Sequence, residues 1–564
     1  MPTSAEPAVS RDTSSPGTAM RRLLIAVLGA AFLWCAISMF RAPYRFPVDD
    51  AFFYLVIANN FAHGLGSTFT GIGVTNGYHP LWMLLIALVS WVSPLGKAAL
   101  IYEVCALQFC LMLFGIAIVF KIYKGSFFHS AWAVVIFEVI FLGKGTLSLM
   151  EIWLAAPLLL LAIFFLQRLQ DAPSQAARTR LLLGVTLMAC SLARLELTLT
   201  SLFFWVAAIA ITHNSQQPGI ETSVKAKTWF RAVIVSLPGM ILTPAAIIAY
   251  MVVNRIYFES ATPISGRIKS SFPHPHFQLS GFIGLFLFAV LVIGLAAGFI
   301  AARKPRKLAS MPSALSLALI ALWCGLAASL TYDVLFSFPS QWYFVAGYTF
   351  IILGLPLLLG SAIGKRRSLH VAGICALAIV ACALNWLRGS TNFVINPQLV
   401  SQAGTLRRVS EIPGYSVGLQ LNSMLPPQSG LLVRDAPGIL AYYTDLRVFP
   451  ADGLVAPDTY SSDVVKEGAL AYFCKHNIRY VLSPDPTPGH PFLRGALQER
   501  MENGRIVFTV YAPVGLKPAG GWTVPDAPIR VFPEISIQYR ELFPTVSLRE
   551  IPCGQYAAVS HSTR

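Results

Sequence analysis

Long apolar runs separated by short polar connections dominate this 564-residue chain. Runs of roughly 17 to 25 apolar residues match the ~30 Å hydrocarbon thickness that a helix must cross. Eleven candidate spans follow, at 23–40, 98–120, 129–143, 152–167, 181–194, 197–212, 230–252, 279–301, 313–335, 342–361 and 369–387. One further apolar stretch, HPLWMLLIALVSWVSP over 79–94, either crosses or lies along the surface. Beyond residue 387 the pattern changes. Short β-like runs (GLLVRD, RYVLS, RIVFTVYA) alternate with helical ones (PGILAYY, VVKEGALAYFCKH), and Pro- and Gly-rich stretches around 484–491 and 513–528 read as loops. The pattern predicts an α-helical polytopic membrane protein, with juxtamembrane helices and a C-terminal α/β domain over 388–564.

Composition agrees. The chain is 55% hydrophobic and 12% charged, where a soluble domain carries about 25% charge. Residues 1–20, rich in Ser, Pro and Ala, are expected to be disordered and cytoplasmic. Arg21-Arg22 then precede Leu23–Phe40, an apolar run longer than a signal-peptide core and without a small-residue cleavage site, so it reads as an uncleaved first helix. The net charge is +16, and residues 1–387 hold 26 Lys/Arg against 12 Asp/Glu. Such an excess in a membrane half reflects orientation, and no nucleic-acid motif accompanies it.

Charge also settles the topology expected. With eleven crossings and the N-terminus inside, 18 of those 26 cations fall on the inner side, Arg303, Lys304, Arg306 and Lys307 among them. If 79–94 crossed as well, the count inside would drop to 9. The positive-inside rule therefore makes 79–94 a juxtamembrane or re-entrant element and 388–564 extracytoplasmic. The connections 41–78, 144–151 and 253–278 then share the outer face. Seven cysteines lie in apolar stretches and read as small buried hydrophobes. Cys474 and Cys553 lie in the tail, where they either pair or stay free.

Candidate chemistry collects in the outer connections. FPVDDAFFYLVIANNFAHGLG (46–66) sets Asp49 and Asp50 before Phe53, Ile57 and Phe61, the spacing of a short amphipathic helix at the interface. One Asp can cap that helix; ionisable groups beside a membrane are otherwise costly unless used. TNGYHPLW (75–82) has turn chemistry at Asn76-Gly77 and a helix start at Pro80, with Trp82 a possible interfacial anchor. Asn76, Tyr78 and His79 are its candidate substrate-binding residues. Glu151 stands where a helix enters from the outer side, either as a favourable N-terminal charge or, facing Asp49 and Asp50, to orient substrate or help bind a cation. ATPISGRIK (261–269) joins a Pro263–Gly266 turn to Arg267 and Lys269, a combination suited to a phosphate or to anionic headgroups. Arg194 and Glu196, between two outer-side helix ends, read as charges that pair with others in the bundle. No P-loop, zinc signature, nucleophile elbow or dinucleotide fingerprint occurs.

The segment DDAFFYLVIANNFAHGLGSTFTGIGVTNGYHPLW resembles the first external loop of bacterial GT-C membrane glycosyltransferases, the lipid-phosphate-sugar-dependent enzymes that include the protein mannosyltransferases and the lipid A aminoarabinose transferase. SLMEIWLAAPLLLL, LARLE, ATPISGRIK, QWYFVAGY and RDAPGILAYYTDLRVFPADGLV resemble later blocks of one bacterial branch, and the likeness covers most of 45–480. That branch often has Asp where this chain has Glu196.

The resemblance implies a GT-C-type transmembrane catalytic domain over 21–387, with 41–97 as its first external loop. It implies transfer of a sugar from a polyprenyl-phosphate donor to a hydroxyl of an envelope glycan, lipid or protein, on the outer face of the inner membrane. Asp49 or Asp50 would be the general base and Glu151 a second acidic site. Asp49, Asp50 and Glu151 could also hold Mg²⁺ or Mn²⁺, although related enzymes often need no metal. The rival readings are a transporter or flippase of a lipid-linked anion and a non-catalytic envelope-assembly subunit.

Overall fold

The computed structural model describes residues 17–143, 148–215, 222–275 except 273, 313–336, 341–390, 413–484 except 435, 497–533 except 515–516, and 545–554. Among them, eight helices are long and apolar enough to cross a membrane. Helices stand at ten of the eleven predicted spans; 279–301 lies outside the described residues. They are α1 (Thr18–Arg41), α4 (Lys97–Ile122), α5 (Phe127–Glu138, continued by a π turn Val139–Gly143), α6 (Ile152–Asp171), α7 (Ala176–Ala193), α8 (Leu197–Ser215), α9 (Thr222–Met240) continued by α10 (Leu242–Tyr257), α12 (Ser313–Phe336), α13 (Val345–Ile363) and α14 (Arg367–Ser390). Helix α6 is the hub, packed by α4, α7, α8, α12 and α13. Its Leu159, Leu160, Ile163 and Leu166 are fully buried, while α1 and α10 turn Leu33, Trp34, Ile248 and Ile256 outward, as lipid-facing surfaces do.

Two shorter helices lie beside the polar connections. α2 (Asp49–Ala62) is covered by α3 (Pro80–Val92) and by α16 (Pro437–Tyr443) of the C-terminal part. Ala51 through Ala58 are all buried, so α2 is enclosed rather than laid along the interface, a correction to the amphipathic reading. α3 starts at His79 beside the polar connections. Beyond it, Lys97 Nζ donates to the carbonyls of Ala441 (2.9 Å) and Thr444 (3.4 Å). Both ends of the 79–94 stretch thus lie near polar groups, His79 at Leu195 and Glu151 and Lys97 against α16. Trp82 is not an interfacial anchor: it is fully buried and its Nε1 donates to Leu149 O at 3.0 Å. Of the seven membrane cysteines, Cys110 is exposed and Cys324, Cys375 and Cys382 are half-buried, so only Cys35, Cys105 and Cys190 fit the buried reading.

The C-terminal part is α/β and includes α15 (Pro413–Met424). Strands β1 (Gly430–Val433), β2 (Arg447–Pro450), β3 (Ile478–Pro484), β7 (Arg530–Pro533) and β8 (Thr545–Glu550) form one sheet in the order β2-β1-β3-β8-β7. β1 runs parallel to both neighbours, and β8 is antiparallel to β3 and β7. The parallel pairs are bridged by α16 on one side of β2 and by α17 (Tyr460–Glu467) and α18 (Ala469–Lys475) before β3, the crossover a parallel pair needs. Gly468, at φ 84°, divides the helical run into those two. β4 (Leu497–Glu502), β5 (Arg505–Ala512) and β6 (Lys517–Pro525) make an antiparallel sheet. β6 corrects the loop expected over 513–528. Most of 484–491 lies outside the described residues. Cys474 and Cys553 form a disulfide that ties α18 to the segment after β8.

Candidate active site

The polar connections of the helical part meet at one end, beneath the C-terminal part. α2 begins with Asp49 and Asp50 in its first turn; its N-cap is Val48, with no side-chain cap bond, so neither aspartate caps its own helix. Their side chains diverge. Asp49 Oδ2 and Oδ1 accept the backbone N–H groups of Gly438 (2.9 Å) and Ile439 (2.8 Å) at the start of α16. Asp50 Oδ2 faces Lys269 Nζ at 3.5 Å, and both side chains keep access to solvent, at 27% and 21%.

Lys269 ends the short helix α11 (Ile264–Lys269). Burial by itself would favour its neutral form, but the Tyr343 hydroxyl and the Asp50 and Asp452 carboxylates outweigh it and push the ammonium's pKa up. Asn76 fixes this helix from the first loop: its Oδ1 accepts Ile264 N–H (2.9 Å) and its Nδ2 donates to Thr262 O (3.3 Å). Arg267 turns away from Lys269 to an ion pair with Asp458 of the C-terminal part. The two cations of ATPISGRIK thus serve different partners. Tyr78 is drawn into its own loop, its hydroxyl 2.6 Å from Ser67 Oγ.

A second group lies deeper. Glu151, just before α6, is buried and ion-paired with Arg194, which also pairs with Glu196. Arg194 is fully buried, and its guanidinium stands 5.0 Å from the Tyr343 ring centroid. His79 Nδ1 accepts Leu195 N–H at 3.3 Å, and its Nε2 lies 3.9 Å from Glu151 Oε1. Burial, together with the Arg194 and Lys269 charges, pushes the His79 pKa well down and keeps the imidazole neutral. Burial raises the Glu151 pKa although Arg194 opposes it. Asp333, at the end of the α12 span, is within electrostatic range of Glu196 and Arg194. Sequence reasoning named Arg194 and Glu196 only as bundle pairs and did not single out Tyr343 or Asp333. The signals were there: Asp333 is the one acidic residue of an apolar run, and Tyr343 lies within QWYFVAGY.

Each residue of the metal reading has another partner in this structure. Asp49 is bound to backbone N–H groups, Asp50 to Lys269 and Glu151 to Arg194. Among the described residues no three His, Cys, Asp or Glu side chains are grouped to hold an ion.

Fold and site together define a multi-pass helical membrane protein whose polar connections build a partly open carboxylate–ammonium pair beside an ionic cluster centred on buried Arg194, covered by an α/β domain. No family model matches the chain, and no curated protein matches it. Its architecture is similar to ArnT from Cupriavidus metallidurans bound to undecaprenyl phosphate (12% identity, 84% of this chain and 96% of that one, TM-score 0.48). It is also similar to the Archaeoglobus fulgidus oligosaccharyltransferase (14%, 82% and 69%, TM-score 0.45) and to the arabinofuranosyltransferase AftD from Mycobacteria (14%, 94% and 41%, TM-score 0.38). At these identities and TM-scores the likeness assigns no residue a role.

Proposed function

We propose that the protein is a membrane glycosyltransferase that moves a hexosyl or pentosyl group from a polyprenyl-phosphate donor to an acceptor hydroxyl on an envelope glycan, lipid or protein. The observation that carries this reading is the Asp50–Lys269 pair: a carboxylate and an ammonium 3.5 Å apart, both reachable, on connections outside the spans. The resemblance of the DD…NGYHPLW loop to polyprenyl-phosphate-sugar enzymes supports the donor class.

Asp50 takes the proton of the acceptor hydroxyl as its oxygen bonds to the anomeric carbon. The bond from that carbon to the phosphate oxygen breaks, and the polyprenyl phosphate leaves with the electron pair. It needs no protonation, and Lys269 offsets its growing charge. Attack opposite the leaving group inverts the anomeric centre. The Glu151–Arg194–Glu196 group, half-buried at Glu196, and neutral His79 hold the floor of this site, and no step requires a metal. The charge distribution and the Cys474–Cys553 disulfide support an extracytoplasmic site on the cytoplasmic membrane of a bacterium.

The test is release of polyprenyl phosphate from polyprenyl-phosphate sugars by the purified chain. Asp50→Asn is expected to lower the rate roughly 10²–10⁴-fold, the usual worth of a general base. A near-normal rate in that variant would remove Asp50 from the chemistry. Vesicle translocation of the intact donor without cleavage would favour a flippase instead.

A further inference from the structure

We propose that Asp49 is a positioning residue: it bolts the C-terminal domain to the first turn of α2 and thereby fixes the direction in which Asp50 points. The inference rests on Asp50 being the base. Adjacent residues at a helix start point about 100° apart, so the two carboxylates cannot share one task. The docking contact is built from both sides. Asp49 accepts two N–H groups at the start of α16, at 2.9 and 2.8 Å, where a helix presents unsatisfied donors. A Cβ on Gly438 would stand 2.5 Å from the Asp49 carbonyl oxygen, so only glycine lets the two backbones come this close.

The other end of the same seven-residue helix is held too. Lys97 donates to the carbonyls of Ala441 and Thr444, and the Tyr442 hydroxyl bonds to Lys97 O and accepts Ile101 N–H at 3.1 Å. A carboxylate at the N-terminus and an ammonium at the C-terminus match the polarity of the helix at both ends. The membrane part thus grips α16 along its length, one residue away from Asp50. Domain docking and base orientation become one structural event, and the C-terminal domain is part of the catalytic geometry rather than an appendage.

The test uses full-length protein in detergent with three variants. In Asp49→Asn an amide NH₂ replaces one acceptor and opposes a backbone N–H. In Gly438→Ala the contact is pushed apart from the other side, by a residue of the C-terminal domain. The third variant combines both. Each single variant should lower kcat about 10²-fold, the scale of an ångström-sized misplacement, while KM and the acidic limb of the pH–rate profile stay in place. The double variant should be no worse than either single one, because both break one contact. Limited proteolysis should cut the 413–484 region faster in all three, with the overall unfolding temperature little changed.

A lost or shifted acidic limb in Asp49→Asn alone, with Gly438→Ala unaffected, would make Asp49 the base and overturn the inference. Unchanged proteolysis in both single variants would overturn it independently of activity. Faster proteolysis in a protein that releases no polyprenyl phosphate would uphold the docking and defeat the transferase reading.

Discussion

At the scale of single residues, the site is governed by which charge has found a partner. Arg194 is the clearest case. Fully buried, it answers two carboxylates and faces an aromatic ring. An ion pair this deep repays little of its desolvation, yet removing one member leaves the other charged and unpaired, at a cost of roughly 3–5 kcal/mol. Arg194→Met is therefore expected to lower the unfolding temperature sharply in detergent, and adding Glu151→Gln should recover much of the loss. A single variant as stable as the wild type would show that Glu151 is carried neutral without Arg194. The residue types at 49, 50, 151, 267 and 269 were legible as candidates from sequence. Their pairing was not: no rule of local spacing separates Asp49 from Asp50, because the difference lies in a helix almost 390 positions away.

Elements follow the apolar pattern where lipid or core decides, and depart from it where another element intervenes. α2 has the spacing of an interfacial helix, but α3 and α16 enclose it, a choice its own sequence cannot express. Helix contacts in the bundle rely on small residues, which let backbones approach closely. A Cβ on Gly184 of α7 would lie 2.5 Å from Gly239 O of α9, whereas one on Gly354 of α13 meets nothing closer than 3.8 Å. Gly184→Val is thus expected to separate α7 from α9 and destabilise by about 1–3 kcal/mol, the range for overpacking. Gly354→Ala should be close to neutral. Thermal unfolding of the two variants side by side checks this, and equal midpoints would mean that the α7–α9 contact is soft.

Across the whole molecule, two bodies share one site: a helical membrane part supplies Asp50, Lys269 and the buried ionic cluster, and the α/β domain covers them. The disulfide closes a chain separation of 79 residues within that domain. Removing a native disulfide from a small domain costs about 2–5 kcal/mol, so reductant or a Cys474→Ser/Cys553→Ser double variant should make the C-terminal region protease-sensitive while the helical part keeps its midpoint. No change in the cleavage pattern would show that docking on α2 and α4, rather than the bridge, holds the domain together.

The sequence by itself determined the long apolar helices, the α/β tail and the polar connections that carry the candidate residues. Those follow from hydrophobic length, strand and helix periodicity and charge asymmetry, all properties of short windows. Only the tertiary structure decided that Arg267 goes to Asp458 while Lys269 goes to Asp50, that Arg194 lies at the centre of the buried charges, and that the two neighbouring aspartates face different domains. Electrostatic partners are chosen by proximity in space, and in this chain that proximity is created by folding residues 430–460 back over the first loop.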